Sequence, residues 1–168
     1  GTGVRTGVRP SYATTTGAQA LRVGRDPNNA SGGVSATVTN AGAMIGTGGP
    51  AIVADIATQG SVLSVNNLAT GKIFGMRGAV DWLTNAGTVD GGAAIAVATT
   101  VSRATITNTG RIASQGGTAI DATGAVALTN GGTITGSVIS RARSGQNSMI
   151  DTLAGRSEEH TSELQSRR

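Results

Sequence analysis

The sequence is poor in the residues that most soluble domains use for cross-linking, catalysis and core packing. Its 168 residues contain no cysteine, one histidine (His160) and three aromatic side chains, Tyr12, Phe74 and Trp82. The absence of cysteine excludes a disulfide framework, cysteine-ligated metal sites and cysteine nucleophiles. The scarcity of aromatic residues argues against an ordinary globular core, and favours a narrow core filled by Val, Ile, Leu and Ala.

Lysine and long apolar runs are also nearly absent. Twelve arginines and one lysine (Lys72) stand against nine acidic residues, which gives a formal net charge of +4. Because the basic residues occur singly along the chain, they indicate a solvated outer surface and no nucleic-acid partner. No apolar run approaches the ~18 residues of a membrane-spanning helix, and residues 1–10 lack the segments of a signal peptide. We therefore expect a fragment that begins within a longer protein and has no membrane span of its own.

The last part of the chain differs in composition from everything before it. All the glutamates and His160 lie within residues 156–168. This segment resembles the in-frame translation of a sequencing adapter, so it is excluded from the functional interpretation. The alternative interpretation is a charged C-terminal helix. Excluding the segment removes the only imidazole, and with it nucleophilic catalysis of the Ser-His-Asp type.

A short repeat is the main positive feature of the sequence. An apolar residue followed by Thr-Asn-x-Gly occurs four times, and a degraded fifth copy reaches its glycine, Gly71, two residues late. The composition alone predicts about 0.2 such occurrences by chance. A second motif, Gly-Gly-x-Ala-Ile (with Pro50 at x in its first copy), ends at Ile52, Ile95 and Ile120. The predicted corner residues of the first motif are Asn40, Gly42, Asn67, Asn85, Gly87, Asn108, Gly110, Asn130 and Gly132.

The repeat predicts short β-strands joined by sharp corners. Asparagine tolerates a left-handed backbone and hydrogen-bonds nearby main-chain groups, and glycine takes positive φ without steric cost, so Asn-x-Gly is interpreted as a turn. The segments between corners, such as residues 104–107 and 125–128, have the length of strands. Frequent glycine and the lack of an apolar stripe at helical spacing disfavour helices.

Units of this size cannot bury an apolar face alone and are expected to stack. The corner asparagines are 27, 18, 23 and 22 residues apart. We therefore predict an all-β, right-handed parallel β-helix (a β-solenoid) of about five coils of ~22 residues, truncated at both ends. Equivalent strands would pair in parallel ~4.8 Å apart, and the asparagine amides would form a ladder. The expected internal columns are Val38, Leu83, Ile106 and Leu128, and Met44, Val89, Ile112 and Ile134.

The repeat also predicts how the chain is divided. Residues 35–139 are expected to form the β-helix, and residues 1–34 a decayed coil or a poorly ordered segment. Residues 140–155 are expected to be a frayed end, followed by the adapter-like tail at 156–168.

Carboxylates are the remaining candidates for chemistry. Glycan cleavage by paired acids needs two carboxylates a few ångströms apart. Asp81 and Asp90 flank one corner, and Asp55 and Asp121 lie near equivalent offsets in the repeat. A β-helix polysaccharide hydrolase or lyase is therefore the alternative to our main interpretation, in which these are turn or surface residues and the chain has no catalytic, cofactor or metal site. The six aspartates are Asp26, Asp55, Asp81, Asp90, Asp121 and Asp151.

Two other solenoid functions match the sequence less well. The segment Gly116–Asp121 has Ala119 where a calcium-binding β-roll repeat requires a third glycine, and the period is ~22 residues and not nine. Threonine pairs such as Thr37 with Thr39 would suit an ice-binding solenoid only if a flat threonine array ran through every coil.

The two motifs together resemble the passenger domains of Gram-negative autotransporters and related β-helical surface adhesins. The resemblance covers Ser35 to Val138. It implies secretion through an outer-membrane β-barrel that tethers the full-length protein, and display on the outside of the bacterial cell. The partners it implies are a host-cell or matrix surface, glycans, or another copy of the protein. We expect a non-enzymatic adhesin or rigid stalk, or else a passive spacer, with ligand contacts in loops such as Asp55–Ser61 or Arg77–Asp81.

Overall fold

The computed structural model describes residues 7–8, 15–17, 20–24, 35–55 and 62–153. Regular structure in these ranges consists of β-strands only, and all of their pairings are parallel. The adapter-like tail and most of residues 1–34 lie outside the described residues. In chain order the strands are β1 (Gly7–Val8), β2 (Thr15–Gly17), β3 (Leu21–Gly24), β4 (Ser35–Asn40), β5 (Ala43–Gly46), β6 (Ile52–Asp55), β7 (Val62–Asn67), β8 (Lys72–Ile73), β9 (Met76–Gly78), β10 (Trp82–Asn85), β11 (Thr88–Asp90), β12 (Val97–Thr99), β13 (Arg103–Asn108), β14 (Arg111–Ala122), β15 (Ala125–Asn130), β16 (Thr133–Ser140) and β17 (Met149–Thr152).

The strands form two sheets that follow the path of a solenoid. The seven-stranded sheet has the order β1-β4-β7-β10-β13-β15-β17, so each strand lies beside its equivalent from the next coil. The ten-stranded sheet covers the other two sides, and the long strand β14 joins them by pairing first with β11 and then with β12. From β4 to β15 the chain completes four turns, and five corner asparagines bound them. The predicted parallel β-solenoid is confirmed.

Both flanks of the predicted repeat region contribute strands to the stack. Strands β1, β2 and β3 pair with β4, β5 and β6. At the other end, β17 pairs with β15, with Ile150 in register with Leu128. The stack of described strands therefore extends from Gly7 to Thr152.

The core consists of three columns of aliphatic side chains, one on each inner side of the coil. Successive members of a column are register partners in neighbouring parallel strands, so each coil extends the same apolar stripe. Burying one such side chain stabilises the fold by roughly 1.5–3 kcal/mol. In the columns predicted from the sequence all members but one are buried, the half-buried Met44 being the exception. The columns are Val38, Val65, Leu83, Ile106 and Leu128; Met44, Ile73, Val89, Ile112 and Ile134; and Ile52, Met76, Val97 and Ile120.

The second sequence motif does not mark equivalent positions in every coil. Ile120 lies in register with Val97, and Ile95 is only half-buried. The corner from Val89 to Val97 is as long as the corner from Ile112 to Ile120, but its Gly-Gly pair comes two residues earlier. Because side chains alternate with a period of two, a shift of two residues keeps the same inward pattern. The hydrophobic pattern alone therefore does not decide whether Ile120 lies opposite Val97, as observed, or opposite Ile95, as alignment of the Gly-Gly motifs would require.

Candidate functional site

The five corner asparagines form a hydrogen-bonded ladder inside the solenoid. All are at most 7% exposed. Along the series, each Nδ2 donates to the Oδ1 of the next asparagine, at 2.8, 2.8, 2.7 and 2.7 Å. The ladder predicted from the sequence is present, and all its amides point in one direction. Its members are Asn40, Asn67, Asn85, Asn108 and Asn130.

Each amide of the ladder also holds its own corner. The Nδ2 of Asn85 lies 3.2 Å from the carbonyl oxygen of Gly87 and 3.1 Å from that of Arg111 in the next coil. Among the described residues, no buried side-chain nitrogen or oxygen lacks a hydrogen-bond partner. A buried polar group is tolerated only when it is satisfied in this way. The corner residues therefore stabilise the fold and leave no reactive group facing solvent.

The corner glycines provide space and do not adopt a left-handed backbone. Gly87, Gly110 and Gly132 do not have positive φ, so the conformational freedom of glycine is not the reason for its place at these corners. A Cβ atom on Gly110 would overlap the carbonyl oxygen of Gly87, and one on Gly132 would overlap that of Gly110. The coils approach so closely at the corner that only glycine fits. The described glycines with positive φ lie elsewhere, at Gly75, Gly78, Gly92, Gly117, Gly136 and Gly145.

Three aspartates pair with arginines on the outer surface. Asp55 lies 2.6 Å from Arg22, and Asp90 lies 3.5 Å from Arg111. Asp121 pairs with Arg141. These pairs are solvent-exposed and contribute little to stability. Each of these three carboxylates therefore has a different arginine as its partner.

Two of the aspartates, Asp81 and Asp90, accept hydrogen bonds from backbone amides. Asp81 accepts a hydrogen bond from the Leu63 amide at 2.8 Å, and Asp90 accepts one from the Gly92 amide at 2.8 Å. Asp121 is in register with Ala98 and not with Asp55, so the two do not stack. In the described ranges no group of three or more His, Cys, Asp or Glu side chains could hold a metal ion. Asp26 lies outside them.

Part of the outer surface of the seven-stranded sheet carries mostly small, uncharged polar side chains. We call it the threonine face, and define it by the outward-facing side chains at two positions in each of β4, β7, β10, β13 and β15. Neighbouring strands lie ~4.8 Å apart and alternate residues of one strand ~6.6 Å apart, so the positions form a regular grid. Its two columns are Thr37, Ser64, Trp82, Thr105 and Ala127, and Thr39, Asn66, Thr84, Thr107 and Thr129.

Trp82 stands in the middle strand of this face and is 48% exposed. Its register partners on the two sides are Ser64 and Thr105, both with hydroxyl side chains. The sequence indicated threonine pairs in separate coils, but it did not reveal that they align with the indole. A tryptophan that occurs once in the chain gives no repeat signal, and its place became visible only when the register was known.

Of the two loops expected to contact ligands, only Arg77–Asp81 lies fully within the described residues. In the segment Arg77–Asp81, Ala79 and Val80 are buried, and Arg77 belongs to strand β9. Arg77 is exposed and Asp81 is half-buried, so the segment is only partly accessible, and its contact with a ligand stays a prediction. The other segment, Asp55–Ser61, lies outside the described residues except for Asp55.

Comparison of the chain with protein-family models, with curated proteins and with solved structures finds no match in any of the three. Among the described residues, no helix is long and apolar enough to cross a membrane. The class that the fold defines is a parallel β-solenoid with an internal asparagine ladder.

Proposed function

We propose that the chain is a non-enzymatic segment of a secreted bacterial surface protein, in which the solenoid acts as a rigid stalk or adhesin. The observation that supports this most is the in-register stacking of strands from β4 to β17. Core columns and ladder pass through the coils without interruption, so the coils form one rod. The repeat resembles that of autotransporter passengers, which supports display at the outer membrane and contact with host cells, matrix or glycans.

The contacts of the aspartates support a binding or structural role over hydrolysis. A retaining or inverting pair needs one acid with a raised pKa beside an ionised carboxylate. Here Asp90 and Asp121 each face an arginine, and Asp81 is hydrogen-bonded to a backbone amide. Each of these carboxylates therefore has a partner of its own, an arginine or a backbone amide, and none of these contacts joins one acid to another.

Coil insertion tests the stalk function. Inserting three further copies of residues 86–108 after Asn108 adds whole coils, because each copy begins after one corner asparagine and ends at the next. Small-angle X-ray scattering should show a rod longer by ~14 Å with an unchanged cross-section. The matched control inserts three copies of 86–107, which shifts the register by one residue per copy and turns apolar side chains outward.

The two outcomes separate the proposed functions. A lengthened rod with unchanged β-content per residue supports the stalk, and adhesion of chain-coated beads to host cells or matrix supports the adhesin. Equal behaviour of the 86–108 and 86–107 insertions would contradict the stacking on which both rest. Release of new reducing ends from polysaccharides by the purified chain would replace the proposal with the hydrolytic alternative.

A further inference from the structure

The threonine face carries an indole that the core does not need. Both aromatic residues in the described part of the chain lie outside the core, with Trp82 48% and Phe74 40% exposed. Trp82 is the first residue of β10, the middle strand of this face, and it presents a large apolar ring to solvent. Exposed tryptophans that sit among polar groups are characteristic of recognition surfaces.

The register partners of Trp82 are polar and uncharged, and the nearest charged position of the neighbouring strand is Arg103, two residues before Thr105. None of the ten positions of the threonine face is acidic or basic, although the chain has a net charge of +4. Charged residues lie at its borders, with Arg103 at the start of β13 and Asp151 on β17. Charge attracts charged ligands over distance, so a face without charge favours a neutral ligand.

We propose that the threonine face binds a neutral polysaccharide, with Trp82 stacked against a sugar ring. A sugar ring has a face of C–H groups and a rim of hydroxyls. The indole matches the C–H face, and the hydroxyls of Ser64 and Thr105 on either side match the rim. The register partners of Trp82 lie ~4.8 Å to either side of it, so a sugar ring stacked on the indole lies beside the hydroxyls of Ser64 and Thr105. The inference names a partner class for the proposed adhesin and depends on the solenoid being a binding surface.

Ice is the competing ligand for a regular threonine array. The second column approaches such an array, with Asn66 as its one exception. In the first column Ser64, Trp82 and Ala127 replace threonine, and the exposed indole interrupts the row of hydroxyls. A face interrupted in this way suits a ligand with ring faces better than a planar crystal surface.

The binding test uses Trp82 as its own reporter, since it is the only tryptophan of the 168 residues. The full chain is titrated with cellohexaose and with chitohexaose, and the tryptophan emission is recorded. We expect a saturable blue shift with a neutral oligosaccharide, because stacking removes water from the indole. Hexagalacturonate serves as the charged probe and is expected to give no saturable shift.

Variants then assign the binding to the face. Retention on insoluble cellulose or chitin should fall roughly tenfold for Trp82→Ala and largely recover for Trp82→Tyr. Phe74→Ala is the matched control, because it removes an aromatic ring of similar exposure from another side of the solenoid and should retain wild-type binding. Circular dichroism should show the same folded state for all three.

Three results would overturn the proposal. The first is a titration in which no neutral oligosaccharide shifts the emission, and the second is equal retention of wild type and Trp82→Ala. The third is thermal hysteresis or ice shaping that is lost on Thr107→Val, which would assign the face to ice. None of these results would change the rod length in the insertion experiment, so failure of this inference is distinguishable from failure of the proposed function.

Discussion

Replacing Asn85 with alanine removes one rung from the middle of the ladder. Asn85 donates to the Oδ1 of Asn108 at 2.7 Å and accepts from the Nδ2 of Asn67 at 2.8 Å. Without it, the buried Oδ1 of Asn108 loses its donor, whereas the Nδ2 of Asn67 still reaches the carbonyl oxygens of Gly71 and Thr88. A buried orphaned acceptor costs about 1–3 kcal/mol and a lost hydrogen bond about 0.5–1.5 kcal/mol. The expected loss of unfolding free energy is therefore ~2–4 kcal/mol.

Because all hydrogen bonds of the ladder point the same way, the last asparagine should be less important for stability than one in the middle. Asn130 accepts from Asn108, but its register partner in β17 is Thr152, so no further asparagine depends on it. Asn130→Ala should therefore cost only about 0.5–1.5 kcal/mol. Thr84→Ala, one residue before Asn85 and facing solvent, should change stability by less than about 0.5 kcal/mol. The assay is urea unfolding followed by circular dichroism. Equal losses for Asn85→Ala and Asn130→Ala, or no loss for Asn85→Ala, would refute the account of the ladder.

Two further comparisons test the corners and the register. Gly110→Ala should destabilise the chain by ~2 kcal/mol or more, because its methyl group would overlap the backbone of the preceding coil. Gly49→Ala, with open space around it, should be neutral or slightly stabilising, and thermal unfolding measures both changes. Ile120→Ala should lower the unfolding free energy by about 2–5 kcal/mol, because it truncates a buried core side chain, and Ile95→Ala should lower it clearly less. Similar losses of unfolding free energy for the two variants would favour the register in which the Gly-Gly motifs align.

The corners of the fold were predictable because asparagine leaves a strong local signal. The repeated Thr-Asn-x-Gly placed Asn85 and Asn108 one coil apart, and their register partnership follows from it. Even the degraded corner at Asn67 was recognisable, because apolar residues still flank it, with Val65 before it and Ile73 two residues later than in the other copies. The ladder could be inferred because a buried amide needs partners, and the next coil supplies the same amide.

The physical reason for the corner glycines was not predictable from one coil. The overlap that excludes a side chain at Gly110 comes from the backbone of the preceding coil, and depends on how closely the coils stack. The local properties of glycine suggested positive φ instead. Similarly, the two-residue displacement at Ile95 preserves the alternation of the strand, so no local pattern reports it. The threonine face required the register of five strands before Trp82 could be placed on it.

Engineered disulfides test the central claim, the parallel stacking of the coils residue by residue, most directly. The chain has no cysteine of its own, so introduced pairs report without interference. Thr84 and Thr107 are register partners, so their Cα atoms lie ~4.8 Å apart. Thr84 and Thr129 are two coils apart, and their Cα atoms, at ~9.6 Å, exceed the ~7 Å limit for a disulfide. After mild oxidation, mass spectrometry should find the intramolecular bond in the Thr84→Cys, Thr107→Cys variant and not in the Thr84→Cys, Thr129→Cys variant. Equal cross-linking of the two pairs, or a preference for the second, would contradict the stacked solenoid.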